Sequence, residues 1–291
     1  MPPAPKLSVI LPVRHRSDAA FVDAIIDALA VQARGTGSEL VIVGRAACAE
    51  SDGVRVVSVE DEDLFVLRTI GFMSARGDVI AIAEDHAMPR PDWCEALLRA
   101  HAERPGAPAI AGRLVNATDG TVSGRANFLA FAARYTDAGQ DADLSSAQFP
   151  PPFSALSFKR DALPEVIPVG WLETEFTPEL FVDGRIAVDT RIVVDHHQDH
   201  GILWALANAF HSARAGYGYA ASEMNWPQRR RQAMWALTHW PSRTAGEARL
   251  GGSVPRHDFV STYVRAIGWA VGVGAAVGSV FGSGSSPRRV A

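Results

Sequence analysis

The sequence predicts an α/β protein with a mainly parallel central sheet, helices on both faces, and a helical C-terminal extension. Three observations carry this. Short apolar runs suited to buried strands alternate with amphipathic helical stretches through the first half. Glycine, proline and aspartate punctuate junctions, as at Gly77-Asp78, Pro91-Asp92 and Gly184. Residues 221–291 change character, with a tryptophan-rich stretch and then a long apolar, glycine-rich one. A chain of 291 residues suits one large domain or one domain plus an extension. The division is expected as residues 1–220 and 221–291.

The elements follow in order. Leu7–Val13 is an apolar run read as the first strand. Asp18 can cap a helix reaching about Gln32, with Phe21, Val22, Ile25, Ile26 and Leu29 on one face. Leu40–Val43 and Val54–Val59 read as strands, and Leu64–Ala75 as a helix packing through Phe65, Ile70 and Met73. Val79–Ala83 is a fourth strand. Pro91-Asp92 opens a helix to about Glu103, with proline in a first-turn position where its missing N–H costs nothing. Ala107–Val115 is a fifth strand, and Ala126–Tyr135 is helical. Gly139–Pro152 is polar and then proline-rich, a length of connection that suits a functional loop. Phe153–Phe158 is a strand, Arg160-Asp161 starts a short helix, and Glu173–Val182 is a helix closed by Gly184. Ile186–Val188 and Ile192–Val194 are short strands, and Gly201–Arg214 is a helix. Arg229-Arg230-Arg231 leads a helix over Ala233–Trp240.

Net charge is −4, which excludes a nucleic-acid partner of the usual electrostatic kind. Two cysteines, Cys48 and Cys94, make no disulfide framework and favour a reducing, cytoplasmic compartment. Arg14-His15-Arg16 follows the first apolar run where a signal peptide would have small residues, so that run is a strand. The uncharged stretch Ala266–Gly282 is at the short limit for a span of roughly 17–25 residues. A crossing would also carry Arg288 and Arg289 to the far side, against the positive-inside tendency. A peripheral or re-entrant helix at the inner face of the membrane, or a helix packed on the domain, is expected. Glycines four apart permit close helix approach. The arginine triplet is either a solvated face or a contact for anionic lipid.

The stretch Asp78–Trp93, DVIAIAEDHAMPRPDW, carries the chemistry. A buried strand ends abruptly in Glu84, Asp85 and His86. Carboxylates just past the carboxyl end of such a strand stand where open α/β sheets bind ligands. Two acids and an imidazole can hold a divalent cation, and a cation can hold a diphosphate.

Together with its flanks this pattern resembles the family 2 glycosyltransferases of the GT-A fold. Those chains open with a strand ending in a proline turn, here Leu7-Ser8-Val9-Ile10-Leu11-Pro12-Val13. They carry R-x-x-G-x-x-x-A-x-G-D before the metal motif, and Arg68, Gly71, Ala75, Gly77 and Asp78 fit it. They then have a DXD-type acidic motif, here Glu84-Asp85-His86, and a P-x-P-x-W turn, here Pro89, Pro91 and Trp93. The resemblance covers about residues 6–215.

It implies a transferase that moves a sugar from a nucleotide-sugar donor to the hydroxyl of a carbohydrate or lipid-linked acceptor, with inversion. Asp85 and His86 would hold the cation, Mn²⁺ or Mg²⁺, with Glu84 beside them on the donor. His86 stands where the family has an aspartate, and imidazole suits Mn²⁺ better than the harder Mg²⁺. Val194-Asp195-His196 matches the strand after which many members carry a histidine near the metal or diphosphate. His196 and His200 do not form the H-E-x-x-H zinc pattern, because Gln198 and Asp199 fill the wrong slots. Pro12, Val13 and Arg14 would meet the nucleotide at the end of the first strand, and Arg68 would reach the nucleotide or diphosphate. Counting back from Gly184 puts the acceptor base on Glu173, with Glu175 the competitor. Where the family has acids that recognise the base or ribose, this chain has Gly44-Arg45-Ala46, which leaves the donor nucleotide open.

The alternative from another class is a catalytically silent GT-A module that binds a saccharide, lipid or protein. A sugar nucleotidyltransferase would need a glycine-rich loop after the first strand, and none is present. No G-x-G-x-x-G follows any strand, which removes a dinucleotide dehydrogenase.

Overall fold

A computed structural model describes residues 4–14, 18–45, 50–61, 63–118, 120–131, 144, 150–197, 200–250 and 259–282. His15, Arg16, Ala46, Cys48, residues 132–135, most of the 139–152 loop, Gln198, Asp199, Arg288 and Arg289 lie outside the described residues. The strands are β1 (Leu7–Val13), β2 (Glu39–Gly44), β3 (Val54–Ser58), β4 (Val79–Ile82), β5 (Ala87–Pro89), β6 (Ala109–Asn116), β7 (Leu156–Lys159) and β8 (Ile186–His196). The helices are α1 (Ala19–Thr36), α2 (Leu64–Ser74), α3 (Trp93–Glu103), α4 (Val122–Phe131), α5 (Thr177–Val182), α6 (Ile202–Ala220), α7 (Trp226–Leu250) and α8 (Phe259–Phe281). Contacts divide the chain into two units. One gathers residues 1–115, 138–169 and 177–196; the other gathers 116–137, 170–176 and 197–291. The sequence reading divides the chain at residue 220, whereas the contacts group α6 with α7 and α8.

The first unit holds an eight-stranded sheet in the order β3-β2-β1-β4-β7-β6-β8-β5. Strands β3, β2, β1 and β4 are parallel. The expected mainly parallel sheet is therefore mixed, since β7 runs antiparallel to both β4 and β6, and β5 antiparallel to β8. The parallel half reads as continuous apolar runs because both faces are covered: every residue of β1, β2 and β4 is buried. The chain steps outward from β1 to β2 to β3, then crosses back to β4 on the other side of β1. Strand order reverses there, which puts the switch point of the sheet between β1 and β4.

Local chemistry sets the helix ends. Asp18 Oδ1 accepts from Ala20 N and Phe21 N and starts α1; Gly37, at φ 65°, stops it. Asp63 does the same for α2 through Phe65 N. Arg68, Gly71 and Gly77 have distinct structural uses. A Cβ on Gly71 would lie 2.3 Å from Ile10 Cγ2, and one on Gly77 would lie 2.6 Å from the backbone of Leu7 and Ser8. Glycine lets α2 and the turn after it press against β1. A buried network finishes that seam. Ser8 Oγ donates to Glu39 Oε1 at 2.6 Å and accepts from Gly77 N at 2.8 Å; Arg55 Nε pairs with Glu39 Oε2 at 2.9 Å.

Several elements differ from expectation. Helix α3 begins at Trp93, so Pro91 lies before the helix rather than in its first turn. Phe153–Ala155 is a 3₁₀ turn ahead of β7. The two short strands at 186–188 and 192–194 are one continuous β8. Met73 is 47% exposed, and α2 packs through Leu67, Gly71 and Phe72 instead.

In the second unit α8 packs on α6, α7 and α4. A Cβ on Gly274 would come within 2.1 Å of Phe210 O, and one on Gly278 within 2.2 Å of Arg214 O. The glycines therefore line the close contact with α6. Arg229 is not part of a solvated basic face: its guanidinium donates to Met224 O and Ser222 O. Arg230 and Arg231 are exposed.

Candidate functional site

Strand β4 delivers the acidic motif. Ala83 N donates to Ile10 O at 2.8 Å, which continues the β1–β4 ladder one residue past the strand. The chain then turns through Glu84, Asp85 and His86, and Ala87 N donates to Glu84 O at 3.1 Å. Strand β5 follows immediately and pairs with β8, with Ala87 opposite His196. That register is what brings His196 to the motif across 110 residues of sequence (196 minus 86).

Glu84 divides its oxygens. Oε1 accepts from Arg68 Nη2 at 3.0 Å. Oε2 lies 3.4 Å from His86 Nε2 and 3.4 Å from His196 Nε2. The two imidazoles meet edge to face, with centroids 4.7 Å apart. Asp85 Oδ1 lies 2.8 Å from His86 Nδ1, and Asp85 Oδ2 lies 4.0 Å from Arg14 Nε. The Arg68 guanidinium also lies over the Phe153 ring, 5.0 Å from its centroid.

These contacts shift the titrations. Burial opposes the charge on Glu84, but the His196 hydrogen bond and the His86 and Arg68 charges outweigh it and hold the carboxyl well below its usual range. Burial likewise opposes a charged His86, but the Asp85 hydrogen bond and the Glu84 and Asp85 carboxylates outweigh it and raise the imidazole above its usual value.

Glu84, His86 and His196 form a group able to hold a metal ion: one donor atom from each lies within 4.8 Å of the others. Ligands at about 2.0–2.2 Å from an ion, at right or tetrahedral angles, stand about 2.8–3.6 Å apart. The 3.4 Å separations of Glu84 Oε2 from both imidazoles fall in that range, so the carboxylate can share a cation with either imidazole. The sequence reading takes Asp85, His86 and His196 as ligands. The trio has Glu84 in place of Asp85, because Asp85 is turned to the far nitrogen of His86. Pro12 and Val13 are buried in β1, so their backbone, not their side chains, is what they can offer a ligand. Arg14 and Arg68 both reach the acidic motif.

Glu173 and Glu175 belong to the second unit. They sit in a single π-turn, Leu172–Phe176, that leads into α5; the expected helix 173–182 thus opens as a π segment. Such turns often occur at functional sites. Gly170, at φ 81°, starts it, and its carbonyl accepts from Glu173 N, Thr174 N and Thr174 Oγ1. Trp171 stacks on Phe176 at 4.8 Å. Both carboxylate oxygens of Glu173 are buried, whereas Glu175 is exposed. In the same unit His200 stacks on Trp204 at 3.7 Å.

Two features were not found from sequence. Phe153 under Arg68 has no motif to announce it. The contact of Asp85 Oδ1 with His86 Nδ1 depends on rotamers that spacing does not specify.

No protein-family model matches the chain. No curated protein matches it either. Among solved structures, the mannosyltransferase PcManGT from Pyrobaculum calidifontis, in complex with GDP-Man and Mn²⁺, aligns at a TM-score of 0.52. It is 15% identical, and the match covers 96% of this chain and 88% of that one. The fold is one that glycosyltransferases use. TarS residues 1–349 from S. aureus aligns at 12% identity and a TM-score of 0.46, covering 94% of this chain and 90% of that one. The mixed α/β sheet with its helices agrees with the resemblance read from the sequence.

Proposed function

We propose that this chain is a GT-A glycosyltransferase that moves a sugar from a nucleotide-sugar donor to an acceptor hydroxyl with inversion, assisted by a divalent cation. The observation that carries this reading is the convergence of Arg14, Arg68, Glu84, Asp85, His86 and His196 past the carboxyl ends of β1 and β4, where the strand order reverses. Two cationic side chains beside a metal-capable trio suit a diphosphate. Shared fold with a transferase supports the class.

The donor's diphosphate lies against Arg14 and Arg68, which offset its charge. A cation on Glu84, His86 and His196, when bound, supplies Lewis-acid stabilisation to the leaving diphosphate. Glu173 takes the acceptor hydroxyl's proton as its oxygen attacks C1. The C1–phosphate oxygen bond breaks, and the nucleoside diphosphate departs with the electron pair. One displacement inverts the anomeric centre. Glu173 is preferred to Glu175 as base because its carboxylate oxygens are buried in the π-turn, whereas Glu175 is exposed to solvent.

The test is an assay with UDP-, GDP- and TDP-sugars, with and without Mn²⁺, in which NMR reads the product anomer. Transfer with inversion is expected from one donor. Binding without hydrolysis or transfer would instead select the silent saccharide-, lipid- or protein-binding module. The reading extends to a cytoplasmic enzyme working at the inner face of a membrane. Helix α8 is long and apolar enough to span one by length and composition, yet 56% of its most apolar window is buried. Phe259, Trp269, Val273 and Phe281 remain exposed on it, which favours peripheral contact over a crossing.

A further inference from the structure

We infer that the cation site takes a borderline transition ion through two imidazole nitrogens and one carboxylate oxygen, that it rejects Mg²⁺, and that Asp85 serves it as a positioning residue on His86. This deepens the proposed function at the same site.

Glu84 Oε1 is held by Arg68 Nη2 at 3.0 Å, so one oxygen, Oε2, faces the histidines. His86 and His196 both present Nε2 to that oxygen at 3.4 Å. The protein side of the site is therefore one oxygen and two nitrogens. Mg²⁺ demands near-ideal octahedral oxygen coordination and dehydrates reluctantly, and it is usually held through carboxylates and phosphates. Imidazole suits Fe²⁺, Ni²⁺, Cu²⁺ and Zn²⁺, and affinity at a nitrogen-bearing site rises from Mn²⁺, the weakest of the first-row ions, through Fe²⁺ and Co²⁺ to Cu²⁺. The substitution of His86 for an acid thus changes the metal, not merely the net charge.

Asp85 explains how His86 comes to point correctly. An imidazole can serve as a ligand through Nε2 only if Nδ1 carries the proton. Asp85 Oδ1, 2.8 Å from Nδ1, accepts that proton's hydrogen bond and fixes both tautomer and ring plane. Arg14 Nε, 4.0 Å from Asp85 Oδ2, holds the carboxylate from the other side. The chain is Arg14 to Asp85 to His86 to metal.

The experiment needs no sugar. The apo protein is titrated with MnCl₂ while the free Mn²⁺ signal is followed by electron paramagnetic resonance, then challenged with Mg²⁺ or Zn²⁺. One Mn²⁺ should bind, Zn²⁺ should displace it, and millimolar Mg²⁺ should not. Asp85→Asn should weaken Mn²⁺ binding by roughly 10–100-fold, whereas His86→Ala should abolish it; thermal unfolding of both apo variants verifies that they fold. Failure to bind Mn²⁺, displacement by Mg²⁺, Asp85→Asn losing binding as completely as His86→Ala, or Asp85→Asn changing nothing would each overturn the inference. A nucleotide sugar that still binds would leave the proposed function standing while this inference fell.

Discussion

Glu84 makes one carboxylate serve two purposes: Arg68 occupies one oxygen, and the other meets both imidazoles. Arg68 and Glu84 are nearly buried, with side chains 10% and 15% exposed. Removing one partner of such a pair is costly because the other stays charged and desolvated. Arg68→Ala should therefore destabilise the fold by about 3 kcal/mol and weaken donor binding, as read by urea unfolding and calorimetry. An unchanged midpoint would show the pair to be worth no more than a surface bridge. Glu173→Gln should lower turnover by roughly 10²–10⁴-fold while donor affinity and unfolding stay unchanged. Full turnover in that variant would reject Glu173 as base.

At the scale of elements, the seam between β1, α2 and β4 depends on the absence of side chains. Gly77→Ala would drive a methyl to 2.6 Å from the Leu7–Ser8 backbone. It should cost about 1–3 kcal/mol by urea unfolding, and a cost near zero would mean the turn yields freely. Helix α3 carries a second test. His101 Nε2 donates to Ser157 Oγ at 2.9 Å, and Ser157 Oγ donates on to Ile110 O. Burial, with the Lys159 charge adding to it, pushes the imidazole down to about 4. The unfolded chain takes up a proton near pH 6.5 that the folded one refuses. This stability is full above pH 6.5 and is lost as pH falls to about 4, at roughly 3 kcal/mol for the whole shift. The fall in unfolding free energy from pH 7 to 4 should be shallower in His101→Gln; equal slopes would exclude His101 as a source of acid sensitivity.

These elements also mark what the sequence made legible. The strands β1, β2 and β4 were clear because burial on both faces leaves an uninterrupted apolar run. The caps Asp18 and Gly37 follow from side-chain and backbone chemistry within a few residues. Strand β5 was missed because three residues, Ala87–Pro89, owe their extended shape to pairing with β8, over 100 residues away. The expectation of a mainly parallel sheet does not resolve the antiparallel pairings of β5 and β7, because strand direction is set by partners and apolar runs do not encode it. At the site, residue types are legible from the motif, whereas which side chains meet which depends on rotamers and on the β5–β8 register.

For the whole molecule, the second unit bears on where the protein works. The glycine face of α8 meets α6, while Phe259, Trp269 and Phe281 are exposed on α8. Arg230 and Arg231 on α7 are exposed and can add up to roughly 1 kcal/mol each at an anionic surface. The protein should co-sediment with anionic vesicles at low salt, and Trp269→Ser with Phe281→Ser should weaken that at least several-fold without altering donor binding. Equal partition of wild type and variant would remove the membrane from the account.

The central claim is that the side chains past β1 and β4 grip a donor's diphosphate. Calorimetric titration of UDP, GDP and TDP in the presence of Mn²⁺, with wild type and Glu84→Gln, tests it most directly. At least one diphosphate should bind the wild type and be lost in Glu84→Gln. No binding by any of the three, or undiminished binding by the variant, would contradict it.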